Sequence, residues 1–402
     1  MLRISVNIYV FLVVLLSIIA CNSNSQQVSG KNGKNTIHPA VGDPVKGAVK
    51  PLTYDTMSPQ VKEIAQRIDK FYLGQSRAGF SGGVVVGYKG HIIYEKYFGF
   101  ANKEKKIPWG PNSSCQLASI SKTFTGSAVL YLYQRNKIDL DKPVDYYIKN
   151  FPYHDVTVRM CLNHRSGLPD YTKFIPVYNR DTRTPIDNDQ MIAVMTEHRP
   201  HIEFKAGTRF TYCNTNFAVL AKIVEVVTDM SFREFMSTYI FRPLGMYHSF
   251  VYDPHIGLPD EAAISYRFNW VREPDMFADG VSGDKGIYST PEDMYRWDQS
   301  FYNNTLLNNQ TIELAYSPCS FERKGVKNYG LGWRMLCFPD GNKIIYHNGW
   351  WHGNNTSFYR FIKDNFTVIV LGNKFNKAIY HHASAIVGIV NGVSGKELDE
   401  EE

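Results

Sequence analysis

The chain is most informative at Ser119-Ile120-Ser121-Lys122, where a hydroxyl and an amine stand three residues apart at the head of an apolar stretch. If a helix starts here, both side chains lie on one of its faces. An amine so placed can take the hydroxyl's proton and leave a nucleophile able to attack a carbonyl carbon. Spacing alone is weak, because at this serine and lysine content a Ser-x-x-Lys is expected by chance about once or twice. A second copy does occur, at Ser282-Gly283-Asp284-Lys285. It lies in a glycine-rich run, 280–286, which disfavours a helix, whereas residues 123–134 after Ser119 are rich in Ala, Val, Leu and Tyr. Context therefore favours Ser119 as nucleophile and Lys122 as its proton partner.

Two further places carry chemistry. Tyr212-Cys213-Asn214 puts a phenol and an amide two residues apart, which on a turn project to the same side. The phenol suits proton transfer and the amide suits positioning; the plainer use is a buried tyrosine beside a capping asparagine. His347-Asn348-Gly349 ends a strand pattern, where glycine lets a substrate backbone approach an edge and His347 directs a polar group at it. An amine with an ordinary pKa of about 10.4 must be desolvated or partnered to act as a base, and the sequence leaves open whether Lys122 or Tyr212 does so.

The elements that must hold these residues follow from periodicity. Residues 59–73 read as an amphipathic helix, and 82–88 with 91–98 as a β-hairpin turning at Lys89-Gly90. The pattern is then mostly helical, at 122–135, 156–163, 188–196, 216–228, 231–239 and 291–302. Strands return at 329–336, 343–347, 356–362 and 367–371, and 378–391 closes with a helix. Strands at both ends with helices between imply an α+β fold: an antiparallel sheet assembled from distant segments, with a helical insertion beside it and the site in the cleft.

Taken together, the three motifs resemble the serine β-lactamase and penicillin-binding-protein superfamily, in the branch of class C β-lactamases, D-aminopeptidases, D-Ala-D-Ala carboxypeptidases and related esterases. That family's Ser-x-x-Lys, Tyr-x-Asn and Lys/His-x-Gly are matched by Ser119/Lys122, Tyr212/Asn214 and His347/Gly349. Further similar stretches are Leu162-Asn163-His164-Arg165-Ser166-Gly167-Leu168-Pro169-Asp170-Tyr171, Pro243-Leu244-Gly245-Met246, and the run from Gly286 to Met294. The resemblance spans about Met57 to Asn373. It implies a β-lactamase/transpeptidase-like domain over 57–395, with its sheet from 57–118 and 325–395 and the helical insertion at about 119–324. It also implies acyl transfer through an ester on Ser119, with Lys122 and Tyr212 handling the proton. Asn214 would orient Lys122 and bind the substrate amide, and the backbone N–H groups of Ser119 and Trp350 would form the oxyanion hole.

Position 347 holds His rather than Lys, which resembles the esterase and peptidase members of the family more than true class C β-lactamases. An ordinary imidazole, with a pKa of about 6.5, is mostly neutral at pH 7 and offers a carboxylate little charge. Trp350, Trp351 and His352 also crowd the mouth. Both features move the expected substrate from β-lactam antibiotics toward small esters, amides or peptides, including D-amino-acid peptides of the cell wall. The alternatives are a β-lactamase and a catalytically silent protein that binds cell-wall peptides; intact Lys122 and Tyr212 argue against silence. No cofactor is expected. A metal is not expected either, since His381-His382 are adjacent rather than four apart and have no carboxylate partner nearby in sequence.

The first residues bear on location. Arg3 and the apolar run 10–20 have the form of a secretory signal, too short for a spanning helix. Ile18-Ile19-Ala20-Cys21 resembles the bacterial lipoprotein processing box, so residues 1–20 are expected to be removed and Cys21 lipidated. Residues 21–56 are poor in large apolar side chains and read as a tether, and 396–402 as an acidic tail. The expected place is the cell envelope, membrane-attached through the lipid. Without Cys21 five irregularly spaced cysteines remain, an odd number unsuited to a disulfide framework. A net charge of +6 over 402 residues is too mild to suggest nucleic acid as a partner. No sequence feature sets the oligomeric state.

Overall fold

The computed structural model describes residues 57–179, 181–322 and 324–391. The signal, the Cys21 anchor, the tether to residue 56 and the acidic tail lie outside the described residues. The described chain begins in helix α1 (Pro59–Arg77), whose N-cap Ser58 hydroxyl accepts from the Val61 N–H. Strands β1 (Gly82–Tyr88) and β2 (His91–Phe98) form the expected hairpin. A 3₁₀ turn, Ala118–Ile120, runs directly into helix α2 (Ser121–Tyr133). Among the helices that follow are α3 (Asn214–Thr228) and α4 (Pro291–Tyr302). The strands then return as β3 (Lys327–Tyr329), β4 (Arg334–Cys337), β5 (Lys343–Trp351), β6 (Asn354–Phe361) and β7 (Phe366–Gly372), before helix α5 (His382–Asn391).

These seven strands make one antiparallel sheet in the order β2-β1-β7-β6-β5-β4-β3, so β1 pairs with β7 across most of the described chain. The arrangement is the α+β one expected, a sheet from the two ends of the described chain with helices between. Alternate side chains along β1 and β7 enter two apolar layers, as a two-residue period requires. Val85, Ile369 and Leu371 join the larger core around α2, while Val84, Val86, Val368 and Val370 join Ile68 and Tyr72 of α1 and Ile386 of α5.

Helix α2 is buried from Ser121 to Leu132, and Phe124 stacks on Trp297 of α4 with ring centroids 4.1 Å apart. A helix enclosed on all sides needs no polar face, so its second half runs apolar from Ala128 to Leu132, while the buried hydroxyls of Thr123 and Thr125 in its first half donate to the carbonyls of Ile120 and Gly283. A small three-stranded sheet ties its entrance to distant chain: Cys115–Gln116 pairs with Ile287–Ser289, which also pairs with Phe250–Val251. The five cysteines among the described residues carry no disulfide.

One strand departs from expectation. Residues 329–336 read as continuous, but the chain turns between β3 and β4, where Gly332 has φ +85°. Its N–H donates to the Leu162 carbonyl at 2.9 Å, and a Cβ there would stand 3.1 Å from the carbonyl oxygen of Lys122. Close packing on the first turn of α2 overrides the local preference for an extended strand.

Candidate active site

Ser119 sits in the 3₁₀ turn that opens α2, and Ala118 before it has a left-handed φ of +49°. Such a conformation persists only where neighbours over-determine it. Here the Leu117 N–H donates to the Ile287 carbonyl at 2.8 Å, and the Leu117 carbonyl accepts from the Thr356 hydroxyl of β6 at 2.8 Å. Gly349 of β5 completes the clamp, since a Cβ on it would fall 2.3 Å from the Leu117 carbonyl oxygen and 3.1 Å from the Ala118 Cβ. The glycine of the third motif thus admits the nucleophile's own turn against the sheet.

Lys122, one turn after Ser119, is fully buried. Its Nζ donates to Ser119 Oγ at 3.1 Å, to Asn214 Oδ1 at 2.9 Å and to the Asp284 carbonyl at 2.8 Å. Three acceptors match the three protons of an ammonium, so the group is held in one orientation. Asn214 opens α3, and its backbone N–H and Nδ2 both donate to Asp170 Oδ2, at 3.2 and 3.3 Å. Tyr212 lies nearby with its ring centroid 4.9 Å from Lys122 Nζ, and Cys213 between them turns inward, donating its thiol to the Leu168 carbonyl at 3.3 Å. Among the described residues no hydrogen bond joins the Tyr212 hydroxyl to Ser119; the direct contact belongs to Lys122.

These groups open on a cavity of about 400 Å³ whose walls include Ser119, Tyr212, Asn214, Gly349 and Trp350. His347 is not among the lining residues, a correction to the expectation that it faces substrate. It is fully buried, its Nδ1 lying 2.7 Å from the Asn348 carbonyl and its Nε2 3.4 Å from the Tyr329 hydroxyl. Gly349, two residues on, touches the nucleophile's turn and still borders the cavity, so the strand is covered by protein at residue 347 and reaches the opening only from residue 348 onward. Burial first, then the charges of Arg334 and Lys122, hold the His347 imidazole well below its ordinary pKa, in its neutral form. Arg334 of β4 lines the cavity, its guanidinium carbon 5.2 Å from the centre of the Tyr212 ring. Trp350 is 56% exposed at the rim, whereas Trp351 donates its indole N–H to Asp279 Oδ1 at 2.6 Å.

Sequence reasoning missed several residues that the fold brings here. His164 is buried, its Nδ1 accepting from the Cys213 N–H at 3.1 Å, and its ring lies 4.4 Å from that of Tyr212. Burial, and after it the charge of Lys122, lower its pKa well below the ordinary value, so it stays a neutral acceptor. The discounted Ser282-x-x-Lys285 copy is also part of the site, though not as a second nucleophile. The Ser282 hydroxyl donates to Asn188 Oδ1 at 3.1 Å, while Asp284 holds Lys122 and Lys285 lines the cavity. Signals for both were present, in the His164-to-Tyr171 stretch and in the repeated spacing itself. Among the described residues no group of acidic, histidine and cysteine side chains is arranged to hold a metal ion.

A family model described as Beta-lactamase matches residues 63–387. The chain is 31% identical to Penicillin-binding protein 4* of Bacillus subtilis (strain 168) over 320 residues, 76% of this chain and 70% of that protein. It is 24% identical to a D-aminopeptidase of Gluconobacter oxydans (strain 621H) over 306 residues, 75% of this chain and 57% of the other. Among solved structures, the octameric penicillin-binding protein homologue from Pyrococcus abyssi superposes with a TM-score of 0.72 at 23% identity, covering 82% of this chain and 78% of that one. The D-amino acid amidase from Ochrobactrum anthropi SV3 gives 0.67 at 20% identity, covering 83% and 97%. These two structures share the fold.

Proposed function

The chain belongs to the β-lactamase family of serine hydrolases, and from that premise we propose that it is an envelope-anchored enzyme that forms an acyl-enzyme on Ser119 with D-amino-acid peptides, amides or esters. The observation that carries this is the Lys122 Nζ to Ser119 Oγ contact of 3.1 Å, with the other two amine contacts fixed by Asn214 and Asp284. In its neutral form Lys122 takes the Ser119 proton as Oγ bonds to the substrate carbonyl carbon. The tetrahedral oxyanion is met by the backbone N–H groups of Ser119 and Trp350; losing one such donor costs about 3–4 kcal/mol of barrier lowering. As the carbonyl re-forms, the C–N or C–O bond breaks and the leaving group takes up the proton through Lys122 or Tyr212. Water then releases the acyl group by the reverse sequence.

The cavity chemistry supports the substrate class. Arg334 beside Tyr212 offers a guanidinium to a carboxylate, as a peptide C-terminus would present, and the exposed ring of Trp350 offers an apolar face to a side chain. The relatives named for penicillin binding, D-aminopeptidase and D-amino acid amidase activity point the same way. Cys21 supplies the lipid anchor, behind the tether of residues 22–56. The test is intact-mass analysis after mixing the protein with D-alanyl esters, D-alanyl-p-nitroanilide or a fluorescent penicillin. An acyl adduct should appear on the wild-type chain and be lost in Ser119→Ala; an undiminished adduct in that variant would show that Ser119 is not the nucleophile.

A further inference from the structure

Lys285 is a second lysine at the cavity, and its side chain is only 3% exposed. Its Nζ donates to the Tyr171 hydroxyl through a short bond and lies 3.5 Å from Asp284 Oδ2 and 4.6 Å from the centre of the Trp351 ring. Tyr171 in turn donates to the same Asp284 Oδ2 at 3.1 Å. The other carboxylate oxygen, Asp284 Oδ1, is buried without a hydrogen-bond partner among the described residues. Asp284 is also the residue whose backbone carbonyl accepts from Lys122. A buried carboxylate therefore stands on the residue that touches the proposed proton acceptor.

An uncompensated negative charge there would favour the ammonium form of Lys122, which cannot accept a proton from Ser119. Resting on the Ser119 acyl-enzyme assignment above, we propose that Lys285 is a positioning residue whose buried ammonium neutralises Asp284 and so leaves Lys122 free to lose and regain its proton. The backbone of this loop has separate supports, since Thr125 donates to the Gly283 carbonyl at 2.7 Å and the Ser282 N–H donates to Asn188 Oδ1 at 2.9 Å. Lys285 is thus spared the task of holding the loop and left with a task of charge.

The surrounding charges agree with that role. Lys285 faces Asp284 on its own loop, Asp279 from the 3₁₀ turn Phe277–Gly280, Tyr171 from the helix Tyr171–Tyr178, and Lys122 from α2. Asp279 is already shared with His352, whose Nε2 lies 3.0 Å away, whereas at Asp284 Lys285 supplies the charged partner beside the neutral Tyr171 hydroxyl. Lys122 is faced in addition by Tyr212 and by the buried, neutral His164 and His347, with the fixed charge of Arg334 behind these two. Burial draws the Lys285 amine below the ordinary lysine range, with Lys122 adding to this, while the two carboxylates draw it back.

The experiment measures the rate of Ser119 acylation by a D-alanyl ester against pH in the full chain and in Lys285→Met, Asp284→Asn and the double variant. The acid limb should move up by about one pH unit in Lys285→Met, a roughly tenfold loss at a pH on the limb, and down in Asp284→Asn. In the double variant it should return to the wild-type position. Asp284→Asn reads the same coupling should Lys285→Met fail to fold. A limb unmoved in Asp284→Asn, a double variant no better than Lys285→Met, or a rise in KM with the limb in place would each overturn the assignment, the last by making Lys285 a substrate anchor. A wild-type chain that forms no adduct fails the acyl-enzyme assignment instead.

Discussion

Gly349 and Leu117, from β5 and from the segment before the nucleophile, approach so closely that a Cβ on the glycine would lie 2.3 Å from the Leu117 carbonyl oxygen. Both partners are backbone on that side, so neither can rotate away. Gly349→Ala is therefore expected to push the Leu117–Ala118 turn off the strand and misplace Ser119, while the rest of the sheet keeps its register. Acylation should fall by about 10²-fold, the scale of a 1 Å misplacement, with near-native circular dichroism. An alanine variant with wild-type acylation would show that the contact does not position the nucleophile.

Lys122 reaches Ser119 Oγ directly, whereas Tyr212 does not. Removing the amine in Lys122→Met should lower kcat/KM by roughly 10³-fold, within the range of general-base catalysis. Tyr212→Phe should lower it less, because the ring that packs on His164 is retained. Steady-state kinetics on a p-nitrophenyl ester measures both, and the reverse order of losses would identify Tyr212 as the base.

Position 347 gives a prediction opposite to the one its motif suggests. His347→Lys restores the family's commoner residue, yet buries an ammonium beside Arg334 and Lys122 in a place now held by a neutral imidazole. The variant should lose stability, on the order of 3 kcal/mol for an uncompensated buried charge, and should gain no penicillin acylation. Thermal melts and labelling with a fluorescent penicillin decide it; a stable variant with enhanced labelling would place residue 347 in contact with substrate.

His382, packed against α1 and outside the residues that line this cavity, sets a pH dependence of stability. It is 2% exposed among Phe71, Tyr72 and Phe80, and neither ring nitrogen has a hydrogen-bond partner among the described residues. Burial, with a smaller effect from His381, lowers its pKa to about 4 from an ordinary 6.5. The folded pKa lies below the unfolded one, so the unfolded chain binds the proton first as pH falls. Stability from this group is complete above about pH 6.5 and declines down to about pH 4, a loss of about 3 kcal/mol. Urea unfolding at pH 7 and pH 4 should show that loss diminished in His382→Phe.

Much of this was readable along the chain. The hairpin of β1 and β2, helix α4 at 291–302 and the course of β5 to β7 follow from periods of two and 3.6 residues, which depend on near neighbours only. The break at Gly332 was not readable, because its cause is contact with the carbonyl of Lys122, over 200 residues earlier.

The candidate site divides in the same way. Residue type and spacing, weak one motif at a time, nominated Ser119, Lys122, Tyr212, Asn214 and Gly349 through their joint resemblance to a family, and a helix turn brings residues three apart together. Spacing could not reveal where along β5 the cavity begins, so His347 was directed at substrate when the fold buries it. Nor could it reveal that Asp284 meets Lys122 across 162 residues of chain, which turns the discarded Ser-x-x-Lys copy into part of the site. Local pattern specifies which chemistry is available; burial, charge partners and close backbone approach arise only when distant segments close on one another, and they assign each group its task.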